Sequence, residues 1–327
     1  MKKYVMKSAL APDLERFLAH KRALGYRYRS EADILRQFDR FCVARSLSEK
    51  LLSREIMEEW GKKQEGEHQK SHNNRVVVLR QFALFLEKGG GLAYILPSPI
   101  TPAASTFVPH IFTKTELAAI FQASDRIGKP SAFSPFMAQI LPVIFRLIYG
   151  CGLRISEACG LIKQHVDISA GILMIIGAKG DKDRLVPMSP TVTDMLRVYL
   201  GKMEYICPKT DYVFPNRSGD KIAEVTMYER FRTALFEAGI PHKGRGKGPR
   251  LHDLRHSFAV HSLEKMAGDG MDLYCALPIL SAYLGHTDVT STEKYLRLTE
   301  EVYSDVLKRL AAAYGDVAPI AGGGAVQ

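Results

Sequence analysis

Residues 252–256 read His252-Asp253-Leu254-Arg255-His256, and the fold turns on how this stretch is read. The two histidines, four residues apart, resemble half of a helical zinc motif, but Asp253 stands where that motif carries a glutamate. Three other segments bear on the choice. Upstream lies Gly152-Leu153-Arg154-Ile155-Ser156-Glu157-Ala158. Between the two is a glycine-rich turn, Gly177-Ala178-Lys179-Gly180-Asp181-Lys182-Asp183. Downstream comes Leu284-Gly285-His286, with Tyr295 nine residues on. Singly, each has an ordinary reading: Arg154 as a helix-surface charge, Lys179 as a solvated turn residue, Tyr295 as a packing ring. Their order and spacing carry the information.

The surrounding pattern is mostly helical. In the first hundred residues Leu10, Leu14, Phe17, Leu18 and Leu24 recur at near-helical spacing, as do Ile34, Leu35, Phe38 and Phe41. Ser53 is an N-cap candidate before Ile56, Met57 and Trp60. A fourth helix is expected over 71–88 and ends at Gly89-Gly90-Gly91. The proline-rich stretch 97–105 breaks every period and reads as a linker. Thr113-Lys114-Thr115-Glu116 is a capping box that opens the next helix. Ile172–Ile176 and Arg184–Met188 read as two strands around the glycine-rich turn, and Tyr212-Val213-Phe214 as a third. Ser189-Pro190 starts a helix; others are expected over 226–238, 252–266, 276–284 and from about Thr292. The expected domains are 1–96, a linker over 97–109, 110–315, and a disordered tail over 316–327. The fold class is mainly α with a small antiparallel β-sheet.

Composition narrows the function classes. The 327 residues carry a net charge of +10. Residues 1–104 hold 19 Lys+Arg against 12 Asp+Glu, so most of the excess lies in the first third. That suits a surface that neutralises phosphates, although a solvated basic face has the same composition. No apolar run reaches the roughly 18 residues needed to span a bilayer, and the basic start Met1-Lys2-Lys3 lacks the apolar core of a signal peptide. No membrane association is expected, and a cytoplasmic location is. The five cysteines, Cys42, Cys151, Cys159, Cys207 and Cys275, form no C-x-x-C pair and read as buried reduced thiols.

In combination, the four segments resemble the catalytic set of the tyrosine recombinase (phage integrase-like, Xer-like) family. That family carries an arginine in a G-x-R-x-x-E helix start, a lysine on a β-hairpin, an H-x-x-R box, a G-H and a tyrosine, in this order. The matching residues are Arg154 with Glu157, Lys179, His252 with Arg255, His286 and Tyr295. The resemblance covers roughly residues 110–310. It implies an N-terminal all-α core-binding bundle, an α+β catalytic domain, and strand exchange through a covalent 3′-phosphotyrosine on Tyr295. Double-stranded DNA is the implied partner, bound at two sites by a homotetramer or by this chain with related recombinase subunits. A nucleoid-associated location follows. The segment after Tyr295, with Val302, Val306, Leu307, Leu310, Ala311 and Tyr314 on one side of a helix, is implied by the resemblance to dock on a neighbouring subunit, against the alternative that it packs on its own catalytic domain.

The chemistry agrees with the resemblance. Breaking a phosphodiester without a metal or other cofactor requires cations that face the charge developing on phosphorus. Arg154 and Arg255 can donate paired N–H bonds to non-bridging oxygens, and His252 and His286 add further bonds. His252 is expected to help remove the Tyr295 proton, Lys179 to protonate the leaving 5′-oxygen, and Glu157 to orient Arg154. The flexible loop with Arg245, Lys247 and Arg250 is a candidate phosphate contact. Rival readings are a metallohydrolase on His252, His256 and His286, a DNA-binding protein without catalysis, and a type IB topoisomerase. Within recombination, integration or excision of a mobile element stands against chromosome-dimer resolution.

Overall fold

The computed structural model describes residues 4–47, 51–99, 108–128, 135–177, 183–241, 244, 248–286, 292, 293 and 295. The chain divides into two compact units, Met1–Phe107 and Val108–Gln327.

The first unit is a four-helix bundle: α1 Ala11–Ala23, α2 Arg29–Ala44, α3 Arg54–Gly61 and α4 Gln69–Lys88. Ser53 caps α3 by accepting from the Ile56 amide, and Gly89 closes α4. Leu14, Phe17, Leu35, Phe38, Met57, Leu79 and Phe82 fill the core. Two buried polar groups fix its edges. Asp39, fully buried, accepts from the Ser8 and Tyr4 hydroxyls and from the Lys7 and Ser8 amides, tying the chain start to α2. Arg75 bonds Glu67 and the Trp60 and Lys62 carbonyls.

The second unit begins with α5, Lys114–Ile127, opened by the expected Thr113/Glu116 capping box. Helix α6, Met137–Cys151, is apolar on nearly every face and forms the centre of the unit, packing against α5 and two later helices. The short α7, Ile155–Cys159, follows. A three-stranded antiparallel sheet runs β1 Val166–Asp167, β2 Ile172–Ile175 and β3 Arg184–Pro187, with Ile175 opposite Arg184 at the end of the ladder nearest the glycine-rich turn. Leu173, Ile175 and Val186 are buried while Met174 and Leu185 are exposed, the two-residue alternation of a half-covered sheet. Then come α8 Pro190–Ile206, α9 Glu224–Glu237, α10 Asp253–Gly268 and α11 Leu273–Leu284.

Two expectations differ from what is observed. β1 was not anticipated, being two residues long. Tyr212–Phe214 is not a strand of this sheet: Tyr212 makes one isolated bridge to Ile162, and Val213 donates to the Leu161 carbonyl. On its other side this segment pairs with 221–222 instead, Pro215 bridging Lys221 and the Phe214 carbonyl accepting from the Ile222 amide. The cysteines differ in part as well: Cys42, Cys151 and Cys159 are buried as expected, but Cys207 is half-buried and Cys275 is exposed on α11. The helix expected after Tyr295 and the tail lie outside the described residues.

One glycine governs how the centre of this unit turns. Gly152 ends α6 in the left-handed region (φ +58°), and a Cβ there would lie 2.5 Å from Phe258 Cδ1 and 2.8 Å from Leu284 Cδ2. Gly152→Ala therefore meets both backbone strain and a clash with α10 and α11. A loss of at least about 2 kcal/mol is expected in urea unfolding. A loss below about 0.5 kcal/mol, the range of an innocuous surface change, would show that the Phe258 ring swings aside freely.

Candidate active site

The site is built on a buried carboxylate. Arg154 is the N-cap residue of α7, and Glu157 returns one oxygen to the Arg154 amide at 2.9 Å while the other accepts from Arg154 Nη1 at 2.7 Å. Arg184, the first residue of β3, grips the same carboxylate with both terminal nitrogens, at 3.0 and 2.8 Å. Arg255 Nη1 stands 3.8 Å away. Burial alone would raise the Glu157 pKa, but the hydrogen bonds and charge of Arg184, then of Arg154, outweigh it and hold it at about 2. Three guanidiniums thus share one carboxylate, and the site keeps a positive excess.

The end of α11 meets the same three arginines. Its last carbonyls are taken in turn: Tyr283 by Arg184 Nε at 2.9 Å, Leu284 by Arg255 Nη2 at 2.7 Å, and Gly285 by Arg154 Nη2 at 3.0 Å. Arg255 also donates to the Gly152 carbonyl at 2.7 Å. Carbonyls at a helix C-terminus carry partial negative charge, so the ends of α6 and α11 help to hold cations that burial disfavours. Burial is the main reason the Arg255 pKa falls to about 10, with Arg154 adding to it; Arg255 stays charged at neutral pH. Gly285, left-handed at φ +66°, turns the chain so that His286 follows directly, and a side chain there would press on Arg184.

His252 occupies the N-cap position of α10, with its side chain making no capping bond. Burial, then Arg255 and Arg154, push its pKa down to about 4, so its ring is neutral at pH 7. His286 Nδ1 lies 2.8 Å from the Thr292 hydroxyl, and its ring lies parallel to that of Tyr295 at 6.3 Å. Tyr295 is only 3% exposed. Burial raises its pKa, while the charges of Arg255 and Arg154 and a hydrogen bond from Arg255 act to lower it. Its hydroxyl lies 2.9 Å from His256 Nδ1. Of the alternative tyrosines, Tyr283 donates instead to the Pro187 carbonyl, and Tyr303 lies outside the described residues.

Arg154, Glu157, His252, Arg255, His286 and Tyr295 therefore converge. Lys179, Arg245 and Lys247 lie outside the described residues. Arg250 is exposed and lines a surface cleft with Tyr228, Phe231 and Arg232, while its amide donates to Asp253 at 2.8 Å. Two members of the cluster were not read as such from the sequence. Arg184 resembles any strand-edge arginine, and nothing in its spacing points to Glu157. His256 was visible, four residues after His252, but only as a metal-ligand candidate. Among the described residues, no three His, Cys, Asp or Glu side chains gather into a group that could hold a metal ion.

Glu157 has an acid signature. Its folded pKa of about 2 lies below its ordinary 4.5. The stabilisation is therefore complete above about pH 4.5 and is lost as pH falls toward 2, worth about 3 kcal/mol. Glu157→Gln should abolish this part of the acid dependence and, by stranding buried guanidiniums, cost about 3–5 kcal/mol at pH 7. Urea unfolding of both proteins from pH 2.5 to pH 7 tests this; parallel curves would mean that the carboxylate is not what neutralises the arginines.

Comparison with known proteins agrees with this geometry. Residues 110–301 match the phage integrase family. The chain is 26% identical to an integrase/recombinase of Sinorhizobium fredii, y4rB, over 93% of this chain and 97% of that protein. It is 30% identical to the tyrosine recombinase XerD of Lacticaseibacillus casei, over 71% of this chain and 73% of that protein. The fold is similar to a crystal structure of the XerH site-specific recombinase bound to difH substrate, at a TM-score of 0.61 and 21% identity, covering 89% of this chain and 83% of that one. With the family matched across most of the second unit, the chain belongs to the phage integrase family and is a tyrosine-type site-specific DNA recombinase.

Proposed function

We propose that this recombinase cuts and rejoins DNA through a covalent 3′-phosphotyrosine on Tyr295, in the integration and excision of a mobile element. The observation that carries the reading is the Tyr295 hydroxyl, held beside Arg255 and Arg154 at the positive excess around Glu157. A scissile phosphate entering here meets Arg154 and Arg255, whose guanidiniums have five N–H donors each and use only some of them on carbonyls and Glu157. Charge building on the non-bridging oxygens is stabilised by these preorganised donors. His252, neutral at pH 7, and His286 bind the same phosphate. Glu157 holds Arg154 in position.

Lys179 protonates the departing 5′-oxygen, and the phosphotyrosine conserves the bond energy for rejoining. Arg245, Lys247 and Arg250 contact phosphates next to the cleavage point. Residues 1–96 form the core-binding domain that also contacts the DNA. Four subunits assemble on two DNA sites, each lending its C-terminal helix to a neighbour. Similarity along 97% of an integrase/recombinase supports the integration reading.

A nicked suicide substrate on a denaturing gel tests the chemistry. Tyr295→Phe should bind target DNA like the wild type and form no covalent adduct; an adduct that persists in this variant refutes the nucleophile. The adduct should also form in excess chelator, because the arginines supply the charge that a metal would. Abolition by chelator with recovery on adding zinc or magnesium would count for the hydrolase.

The acid is tested separately. A 5′-bridging sulfur leaves without needing a proton. Lys179→Ala should thus cleave the sulfur substrate almost normally and the oxygen substrate about 10²–10⁴-fold more slowly. Equal defects on both substrates would move the acid elsewhere, with Lys182 next.

A further inference from the structure

We propose that His256, and not His252, is the base that takes the proton from Tyr295 as it attacks. The assignment rests on the phosphotyrosine reading above and deepens it. Among the two imidazoles of the His252-Asp253-Leu254-Arg255-His256 stretch, the one within hydrogen-bond distance of the hydroxyl is His256, with Nδ1 2.9 Å from Oη. The rings lie 5.6 Å apart and tilted. Helical geometry explains the pairing: His256 is one turn along α10 from His252, and the two rings meet edge to face at 4.7 Å. His252 therefore sits at the helix start, by the arginines, while His256 projects to the tyrosine.

Electrostatics separates the two rings further. His252 is pushed to about 4 by burial and by Arg255 and Arg154. Proton transfer to it from a phenol of ordinary pKa near ~10 is uphill by about six powers of ten, and Tyr295 is raised above that value by its burial. A base of that strength at neutral pH gives little help. His256 meets the His252 ring edge to face and the Tyr295 hydroxyl, and Tyr295 itself faces Arg255, Arg154 and His286. Helices α6 and α11 pack on α10, but Tyr149 bonds His261, Arg146 bonds Asp125, and Tyr283 bonds the Pro187 carbonyl.

The step balances as follows. In the acceptor tautomer His256 carries its proton on Nε2 and offers the Nδ1 lone pair. The Tyr295 O–H bond breaks and its proton passes to Nδ1. The oxygen's electron pair forms the bond to phosphorus, the bond from phosphorus to the 5′-oxygen breaks, and that oxygen leaves with its pair and takes a proton from Lys179. In rejoining, the 5′-hydroxyl returns its proton to the neutral Lys179 amine as its oxygen bonds to phosphorus, the bond from phosphorus to the Tyr295 oxygen breaks, and the released phenolate recovers its proton from His256.

His256→Asn is the discriminating variant. Its Oδ1 can replace Nδ1 as a hydrogen-bond acceptor but cannot take the proton, so a merely positioning role survives the change and a base does not. Cleavage of the suicide substrate is followed in a single turnover from pH 5.5 to pH 9.5, with thermal melting and DNA binding checked alongside. The wild type should level off near neutral pH. The variant should be about 10²–10⁴-fold slower at pH 7 and should keep accelerating as pH rises. Added imidazole should partly restore His256→Ala in proportion to its free-base form, which gives a second reading if the Asn variant melts early. A His256→Asn rate within about threefold of wild type with an unchanged pH profile overturns the proposal, as does a faster His256→Ala or a folded His256→Ala that imidazole leaves unchanged. A wild-type protein that forms no adduct on Tyr295 overturns the phosphotyrosine reading itself; adduct formation with an unaffected His256→Asn defeats this assignment alone.

Discussion

The catalytic unit depends on a charge imbalance that it manages rather than removes. Glu157 is the carboxylate among Arg154, Arg184 and Arg255, and it is itself nearly enclosed. Buried ions are costly unless they are paired and hydrogen-bonded. Here the pairing is incomplete in charge, and backbone carbonyls add hydrogen bonds to those of the carboxylate. Carbonyls take up the donors that the carboxylate cannot, so the arginines are held in position without being neutralised. A phosphodiester, anionic and rich in acceptors, is the kind of group that such a site lacks.

The carbonyls come from helix ends, which gives the arrangement its rigidity. Residues 283, 284 and 285 close α11, and each is bonded by a different arginine, from β3, α10 and the start of α7. Four separate elements are thus locked at one point. Left-handed glycines at 152 and 285 turn the chain there, and side chains at either position would strike Phe258 and Leu284 or Arg184. His286 inherits its position from this knot because it follows directly. Arg184 joins β3, next to the turn that carries Lys179, to the same carboxylate as Arg154. The hairpin and the helix start therefore share a single anchor.

Tyr295 lies against this knot and is almost shielded from water, a costly place for an ionisable hydroxyl. Burial disfavours the phenolate, and Arg255 and Arg154 favour it. The balance shifts toward the anion only when something removes the proton at the moment of attack. The contact with His256 gives the hydroxyl an imidazole partner that is not one of the arginines gathered around Glu157.

The sequence by itself was sufficient for the class of fold and for most of the chemical groups. Apolar spacing marks α1 through α4, capping chemistry marks α5 and α8, and the four motif segments name the arginines, histidines and tyrosine in order. Those features are local, written in residues a few positions apart. It did not disclose that Tyr212–Phe214 stays out of the sheet, because its partners are isolated contacts at Ile162 and at 221–222 that follow no local pattern. Nor did it reveal Arg184 as the second partner of Glu157, twenty-seven residues away, or His256 as the partner of Tyr295, thirty-nine away. These pairings have no period and no fixed spacing. They exist only once packing brings β3, α7, α10 and the ends of α6 and α11 to one point, and a buried charge then bonds whatever the fold has put within reach.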